Sequence, residues 1–340
     1  MAIYDNSAYN TNALSTNTNK WLNRFAIPIV VKRNMFLYAL KNQETGAYGV
    51  PGSRIKTQSR INGNALNVQL LGSITAFTGL ADANQTDAIT LSNREQFGAS
   101  TFSWAHFYDV SPLVSSESVL IRGDSAQIDS ILDAKLKAIA FGWEKTCGDG
   151  INGTNNAART TWGGWRWGCS DGVSTGESSY ATYGTIDRSL SENADYRGNV
   201  RYLSSGELTL DDVMALITDI QADGGQPTFG VVGQTGFLKL ERELRGTTQL
   251  MNADWDAFPG MKLGFRGVTI GFESRCGDTE LGMFDPEALT LFEEDTHHWG
   301  KVVEGYGIYK SVPRIFHADK WGQFIVTTPS HTGKITNILS

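Results

Sequence analysis

The sequence predicts an α+β protein. It joins one long helix and one long two-stranded excursion to a helix–strand–helix unit that opens onto a run of strands. Three observations lead there. Between Asp124 and Lys145, the residues Ile128, Ile131, Leu132, Leu136, Ile139, Ala140 and Trp143 recur three or four apart, while Gln127, Asp129, Ser130, Asp133, Lys135 and Lys137 fall on the other side. That is one apolar face of an α-helix. Residues 44–101 change composition, with Gly46, Gly49, Pro51 and Gly52 opening two strand-like runs, Ser53–Ala76 and Ala88–Trp104, around the polar turn Asp82–Asp87. The last 130 or so residues place two helical patterns first and successive strands after them, the segregation that α+β folds show.

In chain order, residues 1–19 are almost all Asn, Thr, Ser and Ala and predict a loose terminus. Trp21–Leu40 is strongly apolar and is divided by Pro28, which predicts a short helix or two with a break there. An apolar segment beside a polar tail needs a cover, from its own body or from a neighbouring chain. The excursion that follows is a hairpin with few core-sized residues. Isolated hairpins are marginal in water, so this one must lie on something.

The long helix can be capped by Asp124 or Ser125, carries Lys135, Lys137 and Lys145 toward its C-terminus, and meets a stop signal at Gly148 and Gly150. Its length is about 30 Å at 1.5 Å per residue. Next comes a Gly- and Trp-rich stretch, Trp162-Gly163-Gly164-Trp165-Arg166-Trp167-Gly168. Three tryptophans in six residues could stack sugars or bases. The alternative, which we favour, is a cluster that anchors an irregular loop to a core.

Thr209 and Asp212 form a capping box that opens a helix through Leu210, Val213, Met214, Leu216, Ile217 and Ile220, closed by Gly224 and Gly225. A short buried strand at Pro227–Val232 and a helix at Gln234–Leu244 follow. Strands are then expected at Leu263–Phe272, Leu281–Asp285, Leu289–Glu293, Val302–Val312 and Gln323–Thr328.

Composition excludes several classes. With 40% hydrophobic and 19% charged residues the 340-residue chain is globular. No run of about 18 apolar residues predicts a membrane span, and Phe25–Val31 is too short for a signal peptide. Cys147, Cys169 and Cys276 are an odd number without a CxxC spacing, which favours reduced thiols over a disulfide framework. The net charge of −7 argues against a conventional nucleic-acid binder. It is unevenly spread: residues 1–60 carry eight cations against two acids, a net +6, and the other 280 residues carry −13. A basic arm on an acidic body suits docking on an acidic surface, such as a neighbouring copy.

No catalytic constellation emerges. Walker A and HExxH patterns are missing from the sequence. His297-His298 beside Asp295 is the best metal candidate, but adjacent strand residues point to opposite sides, so no metal site is expected. The three cysteines have no flanking His or basic cluster that would favour a thiolate. Asp211-Asp212 reads as a helix N-terminus and Glu293-Glu294-Asp295 as a solvated strand end. No enzyme and no cofactor are expected.

The order of parts resembles a tailed-bacteriophage major capsid protein of the Hong Kong 97 type. The resemblance rests on the loose arm, the extended loop, the long helix, Y-G-T-I-D-R-S at Tyr183–Ser189 with Y-R-G-N at Tyr196–Asn199, the L-T-L-D-D-V-M-A-L-I-T-D-I-Q-A-D-G-G-Q-P unit, L-G-F-R-G-V-T-I at Leu263–Ile270 and W-G-K at Trp299–Lys301. It implies an N-terminal arm at 1–43, an extended β-hairpin loop at 44–105, a peripheral domain at 106–205 with a spine helix at 124–145, an axial domain at 206–312, and return strands at 313–340. It further implies that the hairpin and the apolar arm are covered by sibling subunits. Trp21, Phe25, Arg54, Lys56 and Arg60 are then expected at the subunit interface. The implied partners are many copies of the chain in hexamers and pentamers, a portal, a decoration protein, and enclosed double-stranded DNA without sequence-specific binding. Because the sequence opens on a short arm with no long charged helix, scaffolding is expected from a separate protein. No Lys–Asn crosslink is expected, since nothing around Lys56 makes its chemistry special. The rival reading is a carbohydrate-binding β-rich protein using Trp162, Trp165 and Trp167 as its platform.

Overall fold

A computed structural model of the chain describes residues 35–40, 55–58, 65–72, 97–113, 141–142, 145–154, 162–204, 206–245, 261–294 and 314–339. In chain order the strands are β1 (Ile55–Gln58), β2 (Ala65–Leu71), β3 (Phe97–Ser103), β4 (Ala105–Leu113), β5 (Thr182–Tyr183), β6 (Ile186–Asp187), β7 (Asn199–Tyr202), β8 (Phe229–Val232), β9 (Lys262–Phe265), β10 (Val268–Phe272), β11 (Leu281–Phe284), β12 (Leu289–Glu294), β13 (Arg314–Val326) and β14 (Thr332–Thr336). The α-helices with described limits are α1 (Met35–Leu40), α2 (Trp165–Gly168), α3 (Leu210–Ala222) and α4 (Gln234–Leu244).

Two sheets organise these elements. One has the order β1-β12-β13-β4, and the other β7-β14-β11-β8-β10-β9. The six-stranded sheet is covered on both faces. Val213, Leu216, Ile217 and Ile220 of α3 and Phe237, Leu240 and Leu244 of α4 pack with Ile270, Leu281, Met283 and Ile335 on one side. Phe229, Val231 and Phe284 face the other core. Double coverage explains why β8 reads as an unbroken apolar run with no polar alternation.

The helix limits follow from their caps. Thr209 Oγ1 accepts from the Asp212 N–H at 3.2 Å, and Asp212 Oδ2 accepts from the Thr209 N–H at 3.1 Å. At the other end Gly224 has φ +92°, its N–H donates to the Gln221 carbonyl, and the Gly225 N–H donates to that of Ile220. This is a Schellman closure, which needs a left-handed residue that glycine supplies without strain.

Four expectations are corrected. Leu263–Phe272 is not one strand but the hairpin β9–β10, reversed at Arg266 (φ 49°) and Gly267 (φ 83°). Two consecutive positive φ values make the tight turn that matches strand twist. Gly148 and Gly150 do not stop the central helix, because residues 145–151 are helical. Instead they give room: a Cβ on Gly150 would meet the Trp162 backbone at 3.1 Å, and one on Gly148 the Arg275 guanidinium at 2.8 Å. Of the long helix itself, only 141–142 and 145 onward are described. Glu293 and Glu294 are not a solvated end but buried strand residues, since β12 lies between β1 and β13.

The fourth correction concerns cover. Within the expected hairpin, β2 pairs with β3, with Ala65 opposite Ser103 and Leu71 opposite Phe97, while Ile55–Gln58 of its first run joins β12 of the four-stranded sheet instead. Its inner face, Leu66, Val68, Leu70 and Phe102, is buried in the chain's own core. The end of the apolar arm is also covered by its own body. Met35, Phe36 and Leu40 are buried, and Phe36 sits edge-on to Phe229 and Phe284 of the six-stranded sheet and to Phe324 of the four-stranded one. A Cβ on Gly271 would overlap the Met35 sulfur, so glycine lets α1 reach β10. The expected strand Val302–Val312 lies outside the described residues.

Candidate assembly subunit: the tryptophan cluster and the joint between the sheets

The tryptophan stretch forms α2 and its approach. A Cβ on Gly164 would overlap the Gly153 carbonyl, so the chain can turn there only without a side chain. The turn delivers all three indoles inward. Trp162 and Trp165 are 0% exposed and Trp167 is 8% exposed. Trp165 Nε1 donates to Asn152 Oδ1 at 2.9 Å, and Trp167 Nε1 donates to the Thr182 carbonyl at 2.6 Å. Each ring is met edge-on by another: Trp162 by Phe107, Trp165 by Phe284, Trp167 by Phe102 and Tyr183. No indole face is left for a sugar, which overturns the carbohydrate-platform reading and supports the anchoring one.

The Y-G-T-I-D-R-S and Y-R-G-N motifs are splice points. Tyr183 is buried; its hydroxyl accepts from the Val326 N–H at 2.8 Å and faces the Val326 carbonyl at 3.2 Å. Gly184 has φ +61°, and a Cβ there would overlap Ser100 Oγ. Ser100 Oγ in turn donates to the Tyr183 carbonyl and accepts from the Thr185 N–H, which fastens the hairpin to this turn. Arg188 is fully buried; its guanidinium donates to the carbonyls of Trp167, Gly168 and Tyr180 and lies 4.8 Å from the Tyr183 ring. Burial pulls its pKa down to about 10, because the charged form is the one that loses hydration. Arg197 Nε donates to the Arg188 carbonyl, and the Asn199 amide donates to the Ser330 carbonyl.

Beside this splice lies a cluster of buried charge. Lys334 Nζ is 2.5 Å from Glu177 Oε2, with side-chain exposures of 0% and 5%. It also donates to the Arg166 carbonyl at 3.1 Å and sits 4.7 Å from the Tyr180 ring. Arg166 Nε is 2.5 Å from Glu280 Oε2. Cys169 and Cys276 adjoin these groups, and burial pushes both thiols up to about 12. All three cysteines are buried and none is in a disulfide. Protonated thiols of this kind are neither nucleophiles nor metal ligands.

Among the described residues no group of three or more His, Cys, Asp or Glu could hold a metal ion. No described helix is long and apolar enough to cross a membrane. Asp212 is spent on the α3 cap, as expected. Trp21, Phe25, Arg54, Arg60 and the pair His297-His298 lie outside the described residues. Lys56 is placed on β1 opposite Phe292 of β12, and its side chain lies outside them too. A groove of about 360 Å³ runs between the hairpin (Asn67, Gln69, Phe97) and Glu287, Thr290 and Thr328. Sequence reasoning missed Phe36, Arg188 and the Lys334–Glu177 pair. A lysine flanked by Thr, Gly and Ile in a short strand carries no signal that it points into a core.

Two sheets joined by an irregular, aromatic-rich segment, with a hairpin docked on that joint, form the fold of a phage capsid subunit. The solved structures that share it include the cyanophage A-1(L) capsid asymmetric unit, at 12% identity, with 84% of this chain and 90% of that chain covered and a TM-score of 0.60. The capsid of an empty GTA particle aligns at 13% identity, over 84% of this chain and 87% of that one, with a TM-score of 0.52. That of a native GTA particle aligns at 13% identity over the same shares with a TM-score of 0.50. No family model and no curated protein matches the sequence.

Proposed function

We propose that the chain is the major capsid protein of a tailed bacteriophage. It self-assembles through pentamers and hexamers into an icosahedral shell around packaged double-stranded DNA. The observation that carries this reading is the fold likeness to the cyanophage capsid subunit, which extends over 84% of this chain and 90% of that one. The polar groups support it too. The buried Arg188, Lys334 and indoles are spent on holding the fold, and the buried Cys169 thiol is protonated. The role is structural and not enzymatic.

On this reading residues 1–43 are the arm, 44–105 the extended loop, 106–205 the peripheral domain, 206–312 the axial domain and 313–340 the return strands. Trp21, Phe25, Arg54, Lys56 and Arg60 meet a neighbouring subunit. Many weak contacts repeated around closed rings hold the shell by avidity. The net −13 beyond residue 60 keeps the wall from gripping packaged DNA through salt-sensitive phosphate contacts. A separate scaffolding protein, a portal and a decoration protein complete the set of partners, and the subunits stay uncrosslinked.

The test is negative-stain electron microscopy of the expressed chain, alone and with a co-expressed scaffolding protein. Closed shells or ring-shaped capsomers are expected. A monodisperse monomer under both conditions overturns the reading.

A further inference from the structure

We infer that Lys334, Glu177, Arg166 and Glu280 are positioning residues for assembly: the buried Lys334–Glu177 pair and the partly exposed Arg166–Glu280 pair fix the angle at which the two sheets meet, and through it the curvature of the shell. The inference rests on the capsid reading above.

Residues 162–198 are a joint with two sides. Toward the four-stranded sheet, the Gly163 N–H donates to Gln323 Oε1, Trp162 packs on Phe107, and the Tyr183 hydroxyl bonds to the Val326 backbone. Toward the six-stranded sheet, the joint's Glu177 pairs with Lys334 of β14, and its Arg166 pairs with Glu280, the residue before β11. β14 and β11 are neighbours in that sheet, so the two pairs grip adjacent strands. Lys334 is also opposite Gly282 of β11, and a Cβ on Gly282 would meet the Trp165 ring at 2.9 Å. The charges and the indoles therefore share one seam.

Stability alone does not call for charge at such a seam. Taking an ammonium and a carboxylate out of water costs as much as their attraction returns, and apolar residues of the same volume commonly hold as well or better. What apolar burial lacks is direction, since it scales with area and tolerates sliding. A lysine held at once by a carboxylate, a carbonyl and a ring face has one position. In a closed shell this matters, because a ring of repeated contacts closes only at one rotation per subunit, and a small error in angle changes the closure.

The experiment replaces the charges without emptying the seam. The full-length double variant K334M/E177L is compared with the parent for melting temperature and for shell diameter by electron microscopy. The expected result is a melting temperature equal to or above that of the parent, with shells spread over several diameters where the parent gives one. A variant that assembles into shells of the parent's single diameter overturns the inference. Should K334M/E177L fail to fold, R166M/E280L decides by the same criterion, because that pair is partly exposed and more easily spared. If neither double variant folds, the charges are needed for stability itself and the inference falls. Failure of the parent to form shells would instead remove the capsid reading, which separates the two claims.

Discussion

Replacing Phe36 by alanine asks whether the arm is seated in its own subunit. The Phe36 ring is 0% exposed, with centroids 4.8 Å from Phe284, 5.6 Å from Phe229 and 5.8 Å from Phe324. Those three rings come from β11, β8 and β13, so the side chain closes the seam between the sheets. Truncating a fully buried phenylalanine costs about 3–5 kcal/mol, transfer and cavity together. Edge-on ring pairs contribute about 0.5–1.5 kcal/mol each, which places this site at the upper end. Leucine keeps most of the volume and should cost under about 1.5 kcal/mol. The assay is urea unfolding of unassembled full-length chain, followed by tryptophan fluorescence. Trp165 reports on the seam because its ring lies 5.5 Å from that of Phe284. F36A should lower the midpoint at unchanged slope by an amount worth about 3–5 kcal/mol. A loss below about 1 kcal/mol in the free subunit, with instability appearing only in assembled particles, would refute the reasoning and mean that a neighbour's arm fills the seat.

Y183F leaves the Val326 N–H without its acceptor in a buried place and should cost about 1–3 kcal/mol, read as a lower unfolding midpoint together with faster hydrogen exchange across β2–β3. Thr209→Ala removes one half of the α3 capping box, and a loss of about 1 kcal/mol is expected by thermal or urea unfolding. Because burial raises the Cys169 and Cys276 thiols from an ordinary 9.0 to about 12, the unfolded chain releases their protons first as pH rises. Stability should therefore be intact below about pH 9 and decline between about 9 and 12, by up to about 1.4 kcal/mol per pH unit for each thiol. C169A/C276A should flatten that decline, and an unchanged alkaline limb would count against it. Replacing Arg54, Lys56 and Arg60 together by alanine should weaken shell formation and reduce its dependence on salt, measured by light scattering over a salt series; assembly identical to the parent would remove these residues from the interface.

Signals that act within a few residues were legible in the sequence. The Thr209–Asp212 box and the Gly224-Gly225 closure marked both ends of α3, and α4 spans Gln234–Leu244 as its pattern indicated. The turn at Arg266-Gly267 escaped because arginine is an uncommon choice for a positive φ, so the two short strands around it read as one. Glu293 and Glu294 looked solvated because burial at the end of β12 is decided by β1 and β13, 20 residues or more away in the chain. Gly148 and Gly150 looked like a stop because a glycine that ends a helix and one that admits a neighbour are the same residue; only Arg275 and the Trp162 backbone tell them apart. The joint was hidden for the same reason. Arg188 and Lys334 are ordinary surface residues by type, and only long-range packing makes them central.

The covering of the hairpin base also constrains what a neighbour can contribute. Leu66, Val68, Leu70 and Phe102 already have partners within the subunit, so the apolar face of the described base, β2–β3, is not available to a sibling. What the base turns outward is Asn67 and Gln69 on β2 and Ala99 and Thr101 on β3, with Thr101 Oγ1 bonded to Asn67 Oδ1. Only at the far end does an apolar pair appear, where Phe97, 63% exposed, stands opposite Leu71. A contact made through small polar side chains and one phenylalanine is weak in isolation, because exposed hydrogen bonds mostly exchange with water. Weakness of this kind suits a closed assembly. A misplaced subunit can leave, while a ring that closes multiplies the same contact around its circumference and gains by effective concentration what each pair lacks. On the capsid reading, a subunit that folds its hairpin base onto its own joint would reach assembly as a defined shape, and the shell would select among shapes without having to fold them.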